Sequence, residues 1–175
     1  GLKSYEKADN KFTKSRIENK FFSSLKRLKT DYLDYYAIHN YDRSTPINEI
    51  LSTLQNLVEK GYLLNYGISN INFKQYLFLQ KLKKKYYNLR YFQILHNLFN
   101  RDNEVILSNS KKNKDTIFTY GSLLRGILTG KYLNDNLDIS KTRFNNSTKL
   151  REHLTEKMFK FLKDYKTLCD FFNIK

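Results

Sequence analysis

The stretch Asp31-Tyr32-Leu33-Asp34-Tyr35-Tyr36-Ala37-Ile38-His39 reads as a short strand of aromatic and apolar residues that stops at a histidine. Tyr62 to Ile68 is a second strand of the same kind, and it runs directly into Ser69-Asn70. In α/β proteins the C-terminal ends of parallel strands are where sites are built, because the loops there converge on one rim. A histidine and a Ser-Asn pair at successive strand ends therefore mark a candidate site. Each also has a plainer reading: His39 as a structural residue, Ser69-Asn70 as turn chemistry leading into the next helix.

Working outward, helices and strands alternate. Ser15 to Leu28 carries Ile17, Phe21, Leu25 and Leu28 at helical spacing, with Ser15 and Glu18 as a capping box. Thr45-Pro46 places a capping hydroxyl before a proline suited to a first helical turn. The helix that follows buries Ile47, Ile50, Leu51, Leu54, Leu57 and Val58 and stops at Gly61. Asn72 with Gln75 opens another helix, Tyr91 to Leu95 is a third strand, Asp102 to Lys112 a weaker helix, and Thr116 to Tyr120 a fourth strand. Residues 133–148 form one long polar loop. Leu150, Leu154, Met158, Phe161, Tyr165, Leu168 and Phe172 then set the stripe of a last helix over 149–173. Alternating strands and helices predict right-handed crossovers and a parallel sheet, so the fold class is α/β. No repeat or Gly/Pro-rich linker divides 1–175, which reads as one partial domain with a leader loop over 1–13.

Composition bounds the function. A hydrophobic content of 40% and aromatic content of 15% argue against disorder. No apolar run approaches the ~18–20 residues that span a bilayer, so no membrane role is expected. Lys3, Glu6, Lys7 and Asp9 interrupt any signal-like segment, and Gly1 in place of Met points to a start elsewhere. The lone Cys169 excludes an internal disulfide and any multi-cysteine metal site, which fits a reducing cytoplasm. The formal charge of +15 invites a nucleic-acid reading. Against it, Lys, Asn, Tyr, Phe and Ile are abundant while alanine appears only at Ala8 and Ala37, the bias an AT-rich genome imposes. Lys83-Lys84-Lys85 and Lys111-Lys112-Lys114 stand at helix ends, where cations suit the helix dipole. A nucleic-acid binder would need such residues gathered on one face, and none is expected as a partner.

Three further features carry chemistry. Gln93 lies inside an apolar strand, where a buried amide needs partners. Gly121-Ser122-Leu123 followed by Arg125-Gly126 and Thr129-Gly130-Lys131 is an unusual strand exit. Its small residues let backbone N–H groups approach a ligand, and a cation follows; a flexible connector is the alternative. His96 and His153 lack the strand-end position of His39, and no HExxH spacing supports a metal.

In order, these segments resemble the aldo-keto reductase family. Ser24 to His39 resembles its SLxRLxTDYxDLYxxH segment, Thr45 to Gly61 its TPxxETLxALxxLVxxGK helix, and Tyr66-Gly67-Ile68-Ser69-Asn70 its YxGVSN. Phe92-Gln93 with Asn97-Leu98 looks like VQxxYNLxxR, and Tyr120 to Tyr132 like YSPLAxGLLTGKY. The match is best over 14–132.

The resemblance implies an incomplete (β/α)8 TIM barrel with about four parallel strands, using NADP(H) to interconvert carbonyls and alcohols on a small-molecule carbonyl substrate. It implies that His39 orients the carbonyl and assists proton transfer. Ser69, Asn70 and Gln93 would hydrogen-bond the nicotinamide carboxamide, and Tyr120 would stack on the ring. Gly121, Ser122 and Leu123 would surround the pyrophosphate, with Lys131 and Arg143 supplying positive charge. Ser122 departs from the family's proline. The family's catalytic Asp, Tyr and Lys would lie upstream of Gly1, and its last strand and 2′-phosphate grip beyond Lys175. Tyr41 is the one candidate for a replacement acid within sequence reach of His39. The rival readings are a non-catalytic regulatory relative, as potassium-channel β-subunits are, and a basic nucleic-acid binder. The open sheet edges of a partial barrel imply self-association.

Overall fold

The computed structural model describes residues 12–41, 44–134, 137–142, 145 and 152–174. They form two compact units, divided between Tyr120 and Gly121.

The first unit is a four-stranded parallel sheet with helices packed on one face. Its strands are β1 (Leu33–Ile38), β2 (Leu63–Ser69), β3 (Leu89–Leu95) and β4 (Thr116–Tyr120), adjacent in that order. Its helices are α1 (Lys14–Leu28), α2 (Ile47–Glu59), α3 (Phe73–Leu82) and α4 (Glu104–Asn113). The strands pair with Ile38 beside Ile68, Ser69 beside Gln93 and Leu95 beside Tyr120. That register brings all four strand ends to one rim.

Side-chain alternation decides what each face does. Tyr66, Ile68, Phe92 and Ile94 are buried with Phe21, Leu51, Leu54 and Leu79 in one core, each such burial contributing ~1.5–3 kcal/mol. On the other face, Tyr35, Tyr91 and Phe118 bring their rings within 4.7–5.9 Å of one another. Between the two, Gly67 is fixed by close approach: a Cβ there would lie 1.5 Å from the Tyr91 carbonyl oxygen. The β2–β3 register shifts at Tyr66/Gly67.

Element ends follow local chemistry, with some departures from expectation. Asn72 and Gln75 form the reciprocal capping box at α3, and Gly61 ends α2 at φ +80°. At α1 the cap is Thr13, not Ser15, because Thr13 is extended and its hydroxyl accepts the Arg16 N–H. At α2 Thr45 does not cap. Pro46 is itself extended and precedes the helix, so the Thr45 hydroxyl accepts the Phe12 N–H at 3.0 Å instead.

Among its described residues the second unit has three short 3₁₀ turns and α5 (Glu156–Phe171). Its core gathers Ile127, Leu128, Tyr132 and Leu162. The last helix starts later than 149 because the Thr155 hydroxyl accepts the Met158 N–H and sets the first turn there. Leu162 is its buried anchor, whereas Leu168 and Phe172, read from the sequence as core, are more than half exposed. Within the expected polar loop, Ile139–Lys141 is a 3₁₀ turn; much of the rest of 133–148 is outside the described residues. Among the described residues no helix is long and apolar enough to cross a membrane.

Candidate active site

His39, Asn40, Ser69, Asn70, Gln93 and Tyr120 line one cleft of about 580 Å³ at the C-terminal rim of the sheet. Each lies at the end of its strand or just beyond it, so the shared register alone places them together.

Asn70 is the joint of this rim. It adopts φ +57°, a left-handed conformation that Asn tolerates better than most residues. Its backbone N–H donates to the Gln93 carbonyl at 2.9 Å, anchoring it to β3. Its side-chain N–H groups donate to the His39 carbonyl at 2.8 Å and to Asn40 Oδ1 at 3.0 Å, tying it to the end of β1. Its Oδ1 accepts the Tyr120 hydroxyl at 2.5 Å, reaching the end of β4. Ser69 is 2% exposed, and its hydroxyl faces Gln93 Oε1 at 3.2 Å. Tyr120 keeps 38% of its surface exposed, with its hydroxyl held and its ring on the cleft.

The arrangement offers a planar amide or carboxamide a set of matching partners. Both Asn70 side-chain protons are engaged, but its Oδ1 has a second lone pair suited to an N–H donor. The Ser69 oxygen adds another acceptor, and the Tyr120 ring offers a flat surface. Among the described residues no three His, Cys, Asp or Glu side chains gather in a way that would hold a metal. Asn40 is the member that the sequence reading missed. Its signal was its place, a polar residue directly after a strand-end histidine. Tyr41, the suggested replacement acid, packs partly buried against the first core and does not line the cleft.

Gly121, Ser122, Leu123 and Lys131 belong to the second unit. There the chain turns tightly. The Leu124 N–H donates to the Gly121 carbonyl at 2.8 Å, and the Leu123 carbonyl accepts from Gly126 at 2.8 Å and Leu128 at 3.2 Å. Leu124 and Arg125 hold φ +47° and +55°, strained values for side chains of their size. A Cβ on Gly126 would lie 3.4 Å from the Lys131 ammonium, so the small residue leaves that cation room. Ser122, standing where a proline was expected, lies within this hydrogen-bonded turn. Arg143 lies outside the described residues.

Comparison with known proteins agrees with this fold. The aldo/keto reductase family model matches residues 3–170. The aldo-keto reductase YhdN of Bacillus subtilis is 38% identical over 119 residues, which cover 67% of this chain and 35% of that protein. A fission-yeast (Schizosaccharomyces pombe) relative named aldo-keto reductase yakc [NADP(+)] is 30% identical over 120 residues, 66% of this chain and 34% of its own. The solved structure of the glycerol dehydrogenase AKR11B4 from Gluconobacter oxydans superposes with a TM-score of 0.77 at 28% identity. The match covers 98% of this chain and 53% of that one. The chain thus spans about a third of the length of these curated relatives. Its four parallel strands with alternating helices are an incomplete (β/α)8 barrel.

Proposed function

This chain belongs to the aldo/keto reductase family, and we propose that it supplies the nicotinamide-holding part of an NADP(H)-dependent oxidoreductase that interconverts carbonyls and alcohols. The observation that carries the reading is the bridge of Asn70 between His39 and Tyr120, beside Ser69 and Gln93. Five residues at the ends of four successive strands thereby line one cleft and offer acceptors to the N–H groups of a carboxamide. The NADP(+) in the name of the yeast relative supports the phosphorylated cofactor over NAD.

A nicotinamide dinucleotide, when bound, supplies or accepts the hydride. Everything else falls to side chains. Asn70, Ser69 and Gln93 fix the rotation of the carboxamide, and Tyr120 covers one face of the ring, leaving the other to the substrate. His39 stands exposed at the cleft and hydrogen-bonds the substrate oxygen, orienting the carbonyl. By the family resemblance, Gly121, Ser122 and Leu123 would meet the pyrophosphate through their backbone, with Lys131 and Arg143 offsetting its charge. The proton donor, a tyrosine with its Asp and Lys partners, comes from outside these four strands. The lone Cys169 suits a cytoplasmic protein.

Titration of the 175-residue chain with NADPH, followed by nicotinamide fluorescence, tests the reading. Saturable binding that weakens with salt and is lost in Asn70→Ala is expected, with at most trace carbonyl reduction. The missing acid is worth ~10²–10⁴-fold. Absence of binding by both NADPH and NADH overturns it.

A further inference from the structure

We infer that the ends of α3 and α4, on the rim opposite the cleft, form a binding face for single-stranded nucleic acid. In the sequence Lys83-Lys84-Lys85 and Lys111-Lys112-Lys114 are separate helix-end groups. The fold joins them through Asp115, which directly precedes β4. Asp115 accepts hydrogen bonds from Tyr76 at 2.7 Å and Gln80 at 2.8 Å, and forms an ion pair with Lys83. Its side chain is fully buried, so this carboxylate is neutralised internally and offers nothing to solvent.

What remains outside is cationic. Lys84, Lys85, Arg90, Lys111, Lys112 and Lys114 are all exposed. No acidic residue occurs from Phe73 to Arg101 or from Val105 to Lys114. Glu59, which ends α2, is followed at once by Lys60. The helix dipole accounts for cations in a last turn, here Lys81, Lys111 and Lys112. Lys84, Lys85, Arg90 and Lys114 lie beyond those turns.

Tyr87 selects the partner. It is 57% exposed amid these cations, and Arg90 Nε donates to its carbonyl at 3.1 Å, keeping the guanidinium beside it. An exposed ring among clustered cations is the combination that holds unpaired bases and their phosphates. Its apolar neighbours Tyr86 and Leu89 are buried, while Leu77 and Phe78 of α3 are each 43% exposed, so the comparison with anionic vesicles belongs in the test.

The test is fluorescence anisotropy of a labelled oligouridine with the full chain. Binding should fall with salt, by a log–log slope of about −0.7 per phosphate contacted. Replacing Lys84, Lys85, Lys111 and Lys112 with Gln should weaken it at least about tenfold. The same charge change at Lys14, Lys20, Lys74 and Lys157 should leave it nearly intact. Tyr87→Ala, which alters no charge, should cost about fivefold or more through lost stacking, and keeps the test open should the quadruple variant misfold. Equal loss in both quadruple variants would mean net charge alone attracts the strand, and overturns the proposal. So would no binding, or binding of anionic phospholipid vesicles in preference to the oligonucleotide.

Discussion

The Tyr120 hydroxyl donates to Asn70 Oδ1 at 2.5 Å, although fifty residues separate them in the chain. The same Asn70 side chain holds the His39 carbonyl, so one amide spans the rim from β1 to β4. Asn70→Ala should therefore loosen three strand ends together, costing ~1–3 kcal/mol from bonds worth about 1 kcal/mol each. Asn70→Gly keeps the left-handed backbone but lacks the amide. Chemical denaturation should show both variants destabilised, with Gly less so. Equal stability of wild type and Ala would mean that the bridge is not populated.

Gly67→Ala should be far worse than its size suggests. The added carbon would overlap the Tyr91 carbonyl, and relief requires β2 and β3 to part where Gly67 meets Tyr91, two residues before Ser69 and Gln93. A loss of ~3 kcal/mol or more is expected, at the upper end of overpacking costs. Thermal melts of the two proteins decide it.

Asp115→Ala should destabilise by ~3–5 kcal/mol, since Tyr76, Gln80 and Lys83 would all lose a buried acceptor. Asp115→Asn should fall between, because an amide oxygen still accepts but carries no charge for Lys83. Urea titration of the pair orders them.

Stability should fall in alkali. Burial raises the phenols of Tyr66 and Tyr76 well above their ordinary value of 10.0, and raises Tyr36 and Tyr91 as well. Tyr91 owes its shift to desolvation alone, while the Arg27 charge partly offsets that of Tyr36. In the unfolded chain these phenols ionise near pH 10, whereas in the folded chain they stay protonated. Above that pH the unfolded state binds fewer protons, so the stabilisation is complete below about pH 10 and is lost as the pH rises past it. The tyrosinate absorbance of exposed rings such as Tyr87 should rise first, and a second rise should coincide with the loss of circular dichroism. Ionisation of these four rings without unfolding would contradict it.

The 175-residue chain on its own should self-associate. Among the described residues β1 and β4 each pair on one side only, and Tyr35 and Phe118 are more than 40% exposed on the uncovered face. Light scattering should show species larger than a monomer. A monodisperse monomer that melts cooperatively would mean that the exposed rings and strand edges are tolerated as they stand.

Much of this fold was legible because its signals are local. Ile17, Phe21 and Leu25 recur at helical spacing, Asn72 and Gln75 cap each other, and Thr116 to Tyr120 is bounded as expected. The rim was legible because strand ends can be located without knowing the packing. What escaped depends on distant partners. Nothing near Thr45 in the sequence indicates that its hydroxyl meets Phe12, and nothing near Asp115 indicates that Tyr76, Gln80 and Lys83 converge on it. Asn40 was passed over although it directly follows His39, and its bond to Asn70 is what brings it into the site. The stripe of α5 was over-read, because periodicity says which residues share a face but not how far along the helix that face is covered.

Asp115 precedes β4 and the Gln55–Tyr66 bond lies beneath the sheet on its helix side, while Asn70 and Tyr120 occupy the strand ends. The buried bonds of Asp115 and Gln55 thus secure the scaffold from its helix side, while Asn70 both ties the strand ends and lines the cleft. Loops leaving the strand ends can be exchanged with those of a relative while Asp115 and Gln55 keep their partners. That makes the chain a chassis for new specificities, tolerant of redesign in the loops beyond the strand ends provided Asn70 and the buried bonds of the other end are kept.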